Sequence, residues 1–240
     1  CELPLHLYKR HGVSFTDHLR GMYALAIYDP EKRELILSRD PFGIKPLYYV
    51  SHHNYFAFAS EPQALIESNF ASRRPSISAC KEMLNKQFIS GRRSGFEEIS
   101  RVLPGETLVV RSGEIVDTRC TAALSERFLQ GENLISLESR LDDLLAETIE
   151  LHQRSDVPYG MFLSGGIDSS ALLAMMARLN PRPVLTYTAS FDAKSVINES
   201  VQARKVARTF GASNIEVTVT QKDFWNDLPS IAAIVDDPCA

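Results

Sequence analysis

The stretch FLSGGIDSSALLAMM, residues 162–176, constrains the fold of this 240-residue chain more than any other part of the sequence. An apolar run ends at Leu163, two glycines follow, and a second apolar run begins within four residues. This order predicts a buried strand, a tight turn and a buried helix. Strands that alternate with helices in this way are typical of a parallel sheet covered by helices.

The same alternation continues through the second half of the chain. Strands are predicted at YGMFLS, VLTYTAS and NIEVTVT, and helices at residues 169–179, at 199–210 and from Lys222 onward. Before them, leucines recur at helical spacing between residues 134 and 151. We therefore expect an α/β fold whose parallel sheet carries helices on both faces.

The first half has a different pattern, with short strands separated by turn residues. MYALAIYD, ELILSRD, PLYYV and YFAFAS are predicted as strands, and residues 61–69 and 78–87 as helices. GETLVVRSGEIVDT reads as a hairpin with its turn at Ser112 and Gly113. Arg39 and Asp40, an adjacent ion pair followed by Pro41, indicate a structural corner between two strands. This half is predicted to be α+β.

Apolar periodicity disappears between the two halves, near residues 121–133. We therefore predict a first domain over residues 1–120, a linker over 121–133 and a second domain over 134–240. The chain lacks an initiator methionine, and its last residues, IVDDPCA, stop in mid-pattern. We expect a fragment cut at both ends.

Composition excludes several classes of function. The net charge is −4 and the basic residues are scattered, so a nucleic-acid partner is not expected. The four cysteines are far apart without a CxxC pair, which argues against a zinc site or a disulfide framework and favours the cytoplasm. Apolar runs stop well short of the roughly 20 residues of a membrane span, so no membrane partner is expected.

The loop after the first strand of the second half has the chemistry of an anion site. Gly165 and Gly166 carry no Cβ, so main-chain N–H groups can approach a bulky anion, and the following helix N-terminus adds partial positive charge. Ser164, Ser169 and Ser170 add hydroxyl donors. The alternative interpretation is a structural Ser-Gly turn whose serines cap the helix.

Asp168 is the unusual member of this loop, because a carboxylate beside a phosphate would repel it. A bridging Mg²⁺ removes the conflict, since hard cations bind carboxylate and phosphate oxygens together. We therefore assign Asp168 to metal binding. The Walker pattern GxxxxGK[ST] is absent, which argues against γ-phosphate transfer by a P-loop protein.

The motif S-G-G-x-D-S resembles the phosphate loop of the ATP pyrophosphatases, which include the asparagine, GMP, NAD and argininosuccinate synthetases. The run LRGMYALAIYDPEKRELILSRDPFGIKPLYY, residues 19–49, resembles the second half of the class II glutamine amidotransferase domain of glutamine-hydrolysing asparagine synthetases. FASEPQAL and LPGETLVV continue this likeness in the same order. The resemblance is to an internal fragment of that family.

The resemblance implies half of an Ntn-hydrolase-type αββα glutaminase domain, followed by a Rossmann-like ATP-pyrophosphatase domain. It implies ATP and Mg²⁺ as cofactors, with Mg²⁺ at Asp168. The implied nucleotide-binding residues are Leu163, Ser164, Gly165, Gly166, Asp168, Ser169, Ser170 and Ala189.

Three segments depart from the family pattern. Ala189 stands at the aliphatic position that contacts adenine, and Ser190 replaces the glycine that follows it. In the run NESVQARKVA, Asn198 replaces an aspartate while Glu199 is retained. Residues 236–238, Asp-Asp-Pro, stand where the family has Asp-Glu-Pro, and a solvated helix end is their alternative interpretation.

The implied activity is that of a ligase that makes asparagine from aspartate, glutamine and ATP through a β-aspartyl-adenylate, releasing AMP and pyrophosphate. The implied partners are these small molecules, and a homodimer is left open. The N-terminal cysteine nucleophile of the glutaminase is missing, so no catalytic residue is assigned, and Cys1 is interpreted as an ordinary internal cysteine.

Two other functions remain open at this point. One is a related amidotransferase or cyclase that acts on another carboxylate, such as a sugar acid, a peptide or a β-lactam precursor. The other is a degenerate homologue that binds a nucleotide without chemistry. The intact loop from Ser164 to Ser170 argues against the second, and Ser190 keeps it open.

Overall fold

A computed structural model describes residues 2–53, 55–124, 133–192, 198–235 and 237. The chain divides into two compact units, of which the first comprises Cys1–Arg127 with Ala232–Ala240 and the second comprises Phe128–Ile231. The boundaries predicted at residues 120 and 133 stay predictions, because residues 125–132 of the proposed linker lie outside the described residues. In the described ranges, no helix is both long enough and apolar enough to cross a membrane.

The first unit is built from two antiparallel sheets and short helices. Its helices are α1 (Leu3–His11), a 3-10 helix (Gly12–His18), α2 (Pro62–Glu67) and α3 (Ile77–Lys86). Its strands are β1 (Ala24–Asp29), β2 (Glu34–Arg39), β3 (Tyr48–His52), β4 (Tyr55–Ala59), β5 (Ser100–Arg101), β6 (Glu106–Arg111) and β7 (Glu114–Cys120). The sheet orders are β1-β2-β6-β7 and β4-β3-β5, which confirms the predicted α+β pattern.

Apolar side chains on alternate strand positions hold these elements in layers. Leu37, Tyr49 and Leu108 pack together between the two sheets. The neighbouring residue Ile36 points to the opposite face of β2, where it packs against Phe15 of the 3-10 helix. On the far side of the second sheet, Tyr48, Val50 and Ile99 pack against Leu65 and Ile66 of α2. The order of layers is therefore helix, sheet, sheet, helix.

A buried carboxylate holds the corner between β2 and β3. The Asp40 side chain, which is 1% exposed, accepts hydrogen bonds from the main-chain N–H groups of Phe42 (3.2 Å), Ile44 (3.0 Å) and Lys45 (2.9 Å). The Arg39 guanidinium donates to the carbonyl oxygens of three residues, which are Gly43, Lys45 and Val102. The predicted corner is confirmed, and both charged side chains bond to main-chain groups there.

The predicted hairpin between β6 and β7 is also confirmed. Arg111 pairs with Glu114, and Ser112 and Gly113 have φ values of 53° and 85°. Two successive residues with positive φ are what a type I′ turn requires, and this turn suits the right-handed twist of paired strands.

The last described residue, Asp237, groups with the first unit and is buried there. Its carboxylate accepts from the Gly95 N–H (3.0 Å) and from the Arg101 Nε (2.7 Å), and both charged side chains are at most 8% exposed. The alternative interpretation of residues 236–238 as a solvated helix end is therefore wrong for Asp237. Asp236 and Pro238 lie outside the described residues.

The second unit has a three-stranded parallel sheet in the order β10-β9-β8. Its elements are α4 (Leu134–His152), β8 (Met161–Phe162), α5 (Ile167–Leu179), β9 (Leu185–Phe191), α6 (Ser200–Thr209), β10 (Ser213–Val219) and α7 (Gln221–Ile234). The predicted alternation and parallel pairing are confirmed. Helix α5 begins two residues before the predicted start at Ser169, and β8 is shorter than expected.

Helices cover one face of this sheet in the described residues, whereas the sequence predicts helices on both. Ile149 of α4, Leu173 of α5 and Ala203 of α6 pack in one cluster with Leu163. The opposite face exposes large apolar side chains, among them Phe162 at 87% and Val217 at 53%. The prediction was wrong because the two crossovers from β8 to β9 and from β9 to β10 run in the same direction along the sheet, which puts their helices on one side.

The corner at Asp40 generates a stability prediction. Replacing Asp40 with alanine removes a buried carboxylate and leaves three main-chain N–H groups without their acceptor, so we expect the free energy of unfolding to fall by about 3 kcal/mol. The matched control is Glu67→Ala, which removes an exposed carboxylate paired with Arg73 and changes that free energy by less than about 1 kcal/mol. Denaturant unfolding followed by near-UV circular dichroism measures both. Equal effects of the two variants would contradict the role given to Asp40.

Candidate functional site

The candidate site is the loop that leaves the end of β8 and enters α5. Leu163, which is 2% exposed, anchors the loop in the core, and its N–H donates to the Tyr187 carbonyl at 2.8 Å. Four residues later α5 begins at Ile167. The loop therefore stands at the carboxyl end of a parallel strand and at a helix N-terminus, a position where main-chain N–H groups and the helix dipole favour anions.

Gly165 is the residue whose lack of a side chain the loop requires. Its φ is +81°, and a Cβ placed on it would lie 2.7 Å from the Ala203 nitrogen and 3.0 Å from the Gln202 carbonyl carbon. Gly166 has a φ of −68°, which any residue can adopt. The sequence predicts the same role for both glycines, whereas in the structure only Gly165 has a positive φ and a main-chain neighbour within 3 Å of an added Cβ. The contact with the start of α6 was not predicted.

Two of the three loop serines bond within the loop itself. Ser164 Oγ accepts from the Gly166 N–H at 3.2 Å and lies 3.0 Å from Ser169 Oγ, which in turn is 3.3 Å from the Gly166 carbonyl. These bonds are expected if the loop is a structural Ser-Gly turn, which is the alternative interpretation of this motif. They also hold the loop in one shape before any ligand binds.

Ser170 differs from the other serines. Its Oγ is buried and has no hydrogen-bond partner among the described residues. A buried hydroxyl without a partner is unfavourable by about 1–3 kcal/mol, so native proteins rarely leave one unsatisfied. The first turn of α5 thus contains a hydroxyl whose hydrogen-bonding capacity is unused among the described residues.

Asp168 is exposed in the first turn of α5, where a carboxylate interacts favourably with the helix dipole. Within the ranges that the structure describes, no three or more His, Cys, Asp or Glu side chains gather as metal ligands. Mg²⁺ is commonly held by one or two carboxylates together with phosphate oxygens and water, and Asp168 fits that mode of binding. Zn²⁺ would need three or four protein ligands.

Ala189 and Ser190 point to opposite faces of β9. Ala189 is exposed on the face that no helix covers, and it lies two residues beyond Tyr187, which pairs with Phe162. Ser190 is 2% exposed on the helix-covered face, with its Oγ 2.9 Å from the Thr218 hydroxyl. The serine that replaces the family's glycine therefore adds no side chain beside Ala189.

The start of α6 explains the departure at Asn198. The Asn198 side-chain oxygen accepts from the Ser200 N–H at 3.1 Å, which an aspartate could also do. Glu199 precedes the helix without making a side-chain cap, although its carbonyl accepts from the Ala203 N–H. Asn198 therefore serves the helix start, and among the described residues, which leave out 193–197, the Glu199 carboxylate makes no hydrogen bond.

A two-sheet α+β unit joined to a parallel α/β unit with a glycine-containing strand-to-helix loop defines a mixed α/β protein of two parts. The first part matches the family model described as "Glutamine amidotransferase domain" over residues 1–121. The second matches the model described as "Asparagine synthase" over residues 140–240. The chain belongs to the family of glutamine-hydrolysing asparagine synthetases.

Individual relatives support this assignment over the whole chain. "Asparagine synthetase [glutamine-hydrolyzing] 1" of Bacillus subtilis is 31% identical over 100% of this chain and 37% of its own length. A putative asparagine synthetase of Mycobacterium tuberculosis is 30% identical over 97% of this chain and 36% of its own length. "Amidase chry2" of Gibberella zeae is 31% identical over 88% and 33%, respectively. The chain spans about a third of the length of these relatives.

The close packing of Gly165 against the start of α6 generates a second prediction. Gly165→Ala forces an L side chain into a positive φ and into contact with the main chain of α6, so we expect the free energy of unfolding to fall by about 2–4 kcal/mol. The matched control is Gly211→Ala, where φ is +64° and no atom lies within 4 Å of the added carbon. The control isolates the backbone strain of about 1 kcal/mol. Chemical denaturation measures both, and equal losses would show that the close approach to α6 is unimportant.

Proposed function

We propose that the whole protein is an ATP-dependent glutamine amidotransferase that converts aspartate to asparagine. The observation that carries the proposal is the strand-to-helix loop with Gly165 at a positive φ before the N-terminus of α5, in a member of the asparagine synthetase family, and the unpaired Ser170 hydroxyl in the first turn of α5 supports it. These features suit a polyphosphate, which accepts hydrogen bonds from both hydroxyl and main-chain N–H groups.

The nucleotide is proposed to lie across the loop and the carboxyl end of β9, where Ala189 is exposed. The main-chain N–H of Gly165 and the Ser170 hydroxyl would donate to phosphate oxygens, and Gly166, whose N–H donates to Ser164 Oγ, would keep the main chain close to them. Ala189, exposed on β9, would contact the adenine ring, Leu163 would anchor the loop in the core below the nucleotide, and Ser164 and Ser169 would hold the loop in its binding shape. Mg²⁺ bound to Asp168 would neutralise charge between the carboxylate and the phosphates.

The proposed reaction has two steps. A carboxylate oxygen of aspartate attacks the α-phosphorus of ATP, the bond to the bridging oxygen breaks, and pyrophosphate leaves with that electron pair. Ammonia then attacks the acyl carbon of the adenylate, and AMP leaves as the amide forms. Activation is needed because oxide is a poor leaving group and a free carboxylate repels nucleophiles.

The first unit is proposed to form part of the domain that, in the whole protein, supplies ammonia by hydrolysing glutamine. Its match to the glutamine amidotransferase family and its layers of helix, sheet, sheet and helix support this role and an Ntn-hydrolase-type fold. The second unit is proposed to belong to the Rossmann-like ATP-pyrophosphatase group. The cytoplasm is the proposed site of action, and a homodimer, measurable by light scattering, is the proposed assembly.

A second candidate function is the same ATP chemistry on a different carboxylate. The relative named amidase chry2 favours it, since that protein matches this chain about as well as the asparagine synthetases do. A sugar acid, a peptide or a β-lactam precursor would then replace aspartate. A homologue that binds nucleotide without chemistry is the third reading.

The acceptor is identified by ATP–pyrophosphate exchange in the whole protein. Exchange that requires aspartate is the expected result, because pyrophosphate returns to ATP only after the adenylate has formed. Exchange that proceeds with another acid and ignores aspartate would favour the second candidate. Absence of exchange with every acid, together with retained nucleotide binding, would favour the third.

The metal assignment is tested by Asp168→Asn in the same exchange assay. We expect Mg²⁺-dependent exchange to be abolished while the circular dichroism spectrum stays unchanged, because amide substitution removes the charge at an exposed position.

The control for this variant is Asp142→Asn, which alters an exposed carboxylate on α4 that pairs with Arg178 of α5. This variant should leave exchange intact. Undiminished exchange in Asp168→Asn would show that the metal assignment is wrong.

A further inference from the structure

Two buried threonines and a partly buried asparagine form a polar chain that leads to the candidate site. Thr186 and Thr188 lie on the helix-covered face of β9 and are 0% and 3% exposed. The carboxamide oxygen of Asn214 on β10 lies 2.8 Å from the Thr186 hydroxyl and 3.1 Å from the Thr188 hydroxyl. No role is predicted from the sequence for any of the three. A polar chain next to apolar helices is costly unless each of its groups has a hydrogen-bond partner.

The chain ends at the residue from which the candidate loop departs. Thr188 Oγ1 lies 2.9 Å from the carbonyl oxygen of Leu163, and the Leu163 N–H donates to the Tyr187 carbonyl at 2.8 Å. Both polar main-chain atoms of Leu163 are therefore held by β9, one of them by a side chain. The next residue, Ser164, begins the turn that carries Gly165.

Counting protons determines which way these bonds run. A hydroxyl has one proton, and the Leu163 carbonyl can only accept, so Thr188 must donate to Leu163. In the same way Thr186 can donate to the Ser213 carbonyl, which lies 3.3 Å away. Each hydroxyl then needs a donor on its Asn214 side. Rotating the Asn214 carboxamide by 180° exchanges its oxygen and nitrogen, and the NH₂ group can donate one proton to each hydroxyl oxygen.

We propose that Thr188 is a positioning residue for the nucleotide loop. Its hydroxyl holds the Leu163 carbonyl and so sets the direction in which Ser164 and Gly165 leave the sheet, with Asn214 directing the Thr188 proton toward that carbonyl. The inference rests on the proposed ATP-binding function of the loop. It adds a residue that touches no ligand and acts through the main chain.

The strand itself offers a matched control. Thr186 is equally buried on the same face, is bonded to the same Asn214, and makes no recorded bond to the loop. Thr188→Val and Thr186→Val each replace a hydroxyl with a methyl group of similar shape and leave one partner of Asn214 missing. The two variants therefore share their effect on the core and differ at Leu163.

The test measures binding of MgATP to the whole protein by isothermal titration calorimetry. We expect Thr188→Val to raise the dissociation constant about three- to tenfold, the range of one net hydrogen bond, and Thr186→Val to leave it within about twofold. Thr188→Ser keeps the hydroxyl and should bind MgATP with the wild-type affinity, whereas Thr188→Ala removes it and should weaken binding about as much as valine does. Comparing these two variants keeps the test decisive where Thr188→Val does not fold.

A second readout needs no nucleotide. Hydrogen exchange of the peptide covering residues 163–167 should be faster in Thr188→Val than in Thr186→Val, because the loop has lost its hold on β9. Equal affinities and equal exchange in the two valine variants would overturn the role of Thr188 while leaving the proposed function intact. If the wild-type protein binds no MgATP, the proposed function fails, and this inference fails with it.

Discussion

The second unit depends on one close approach between main-chain segments. Gly165 lies so near the start of α6 that a Cβ would be 2.7 Å from the Ala203 nitrogen, and this contact requires a positive φ. The contact links the loop, the first turn of α5 and the first turn of α6. Because Ala203 is also fully buried in the core cluster, the position of the loop follows from packing of the helices on the sheet.

The two units use the same device where a strand gives way to a functional or structural turn. In the first unit the Asp40 carboxylate binds the N–H groups of the corner, and in the second the Thr188 hydroxyl binds the Leu163 carbonyl. Each polar group is almost completely buried and each is paired, as buried polar groups must be. Main-chain groups released at the end of a strand are thereby satisfied without continuing the sheet.

Much of the fold follows from local patterns in the sequence. The hairpin at Ser112 and Gly113, the strand order along the chain and the helices α4 to α7 were predicted within a few residues, because periodicity and turn chemistry are local properties. The placement of helices on both faces was wrong, and so was the alternative interpretation of a solvated helix end at Asp237, which pairs with Arg101. Those two features depend on contacts between distant parts of the chain.

The sequence by itself determined that a Ser-Gly-Gly turn joins a strand to a helix, because glycine and serine restrict the local conformation whatever surrounds them. Tertiary structure alone decided which glycine is indispensable, that Ser170 lacks a partner, and that Ser190 points away from Ala189. Each of these outcomes depends on which neighbours the folded chain brings within about 3 Å of an atom, the range of a hydrogen bond or a clash. Spacing along the sequence carries no such information.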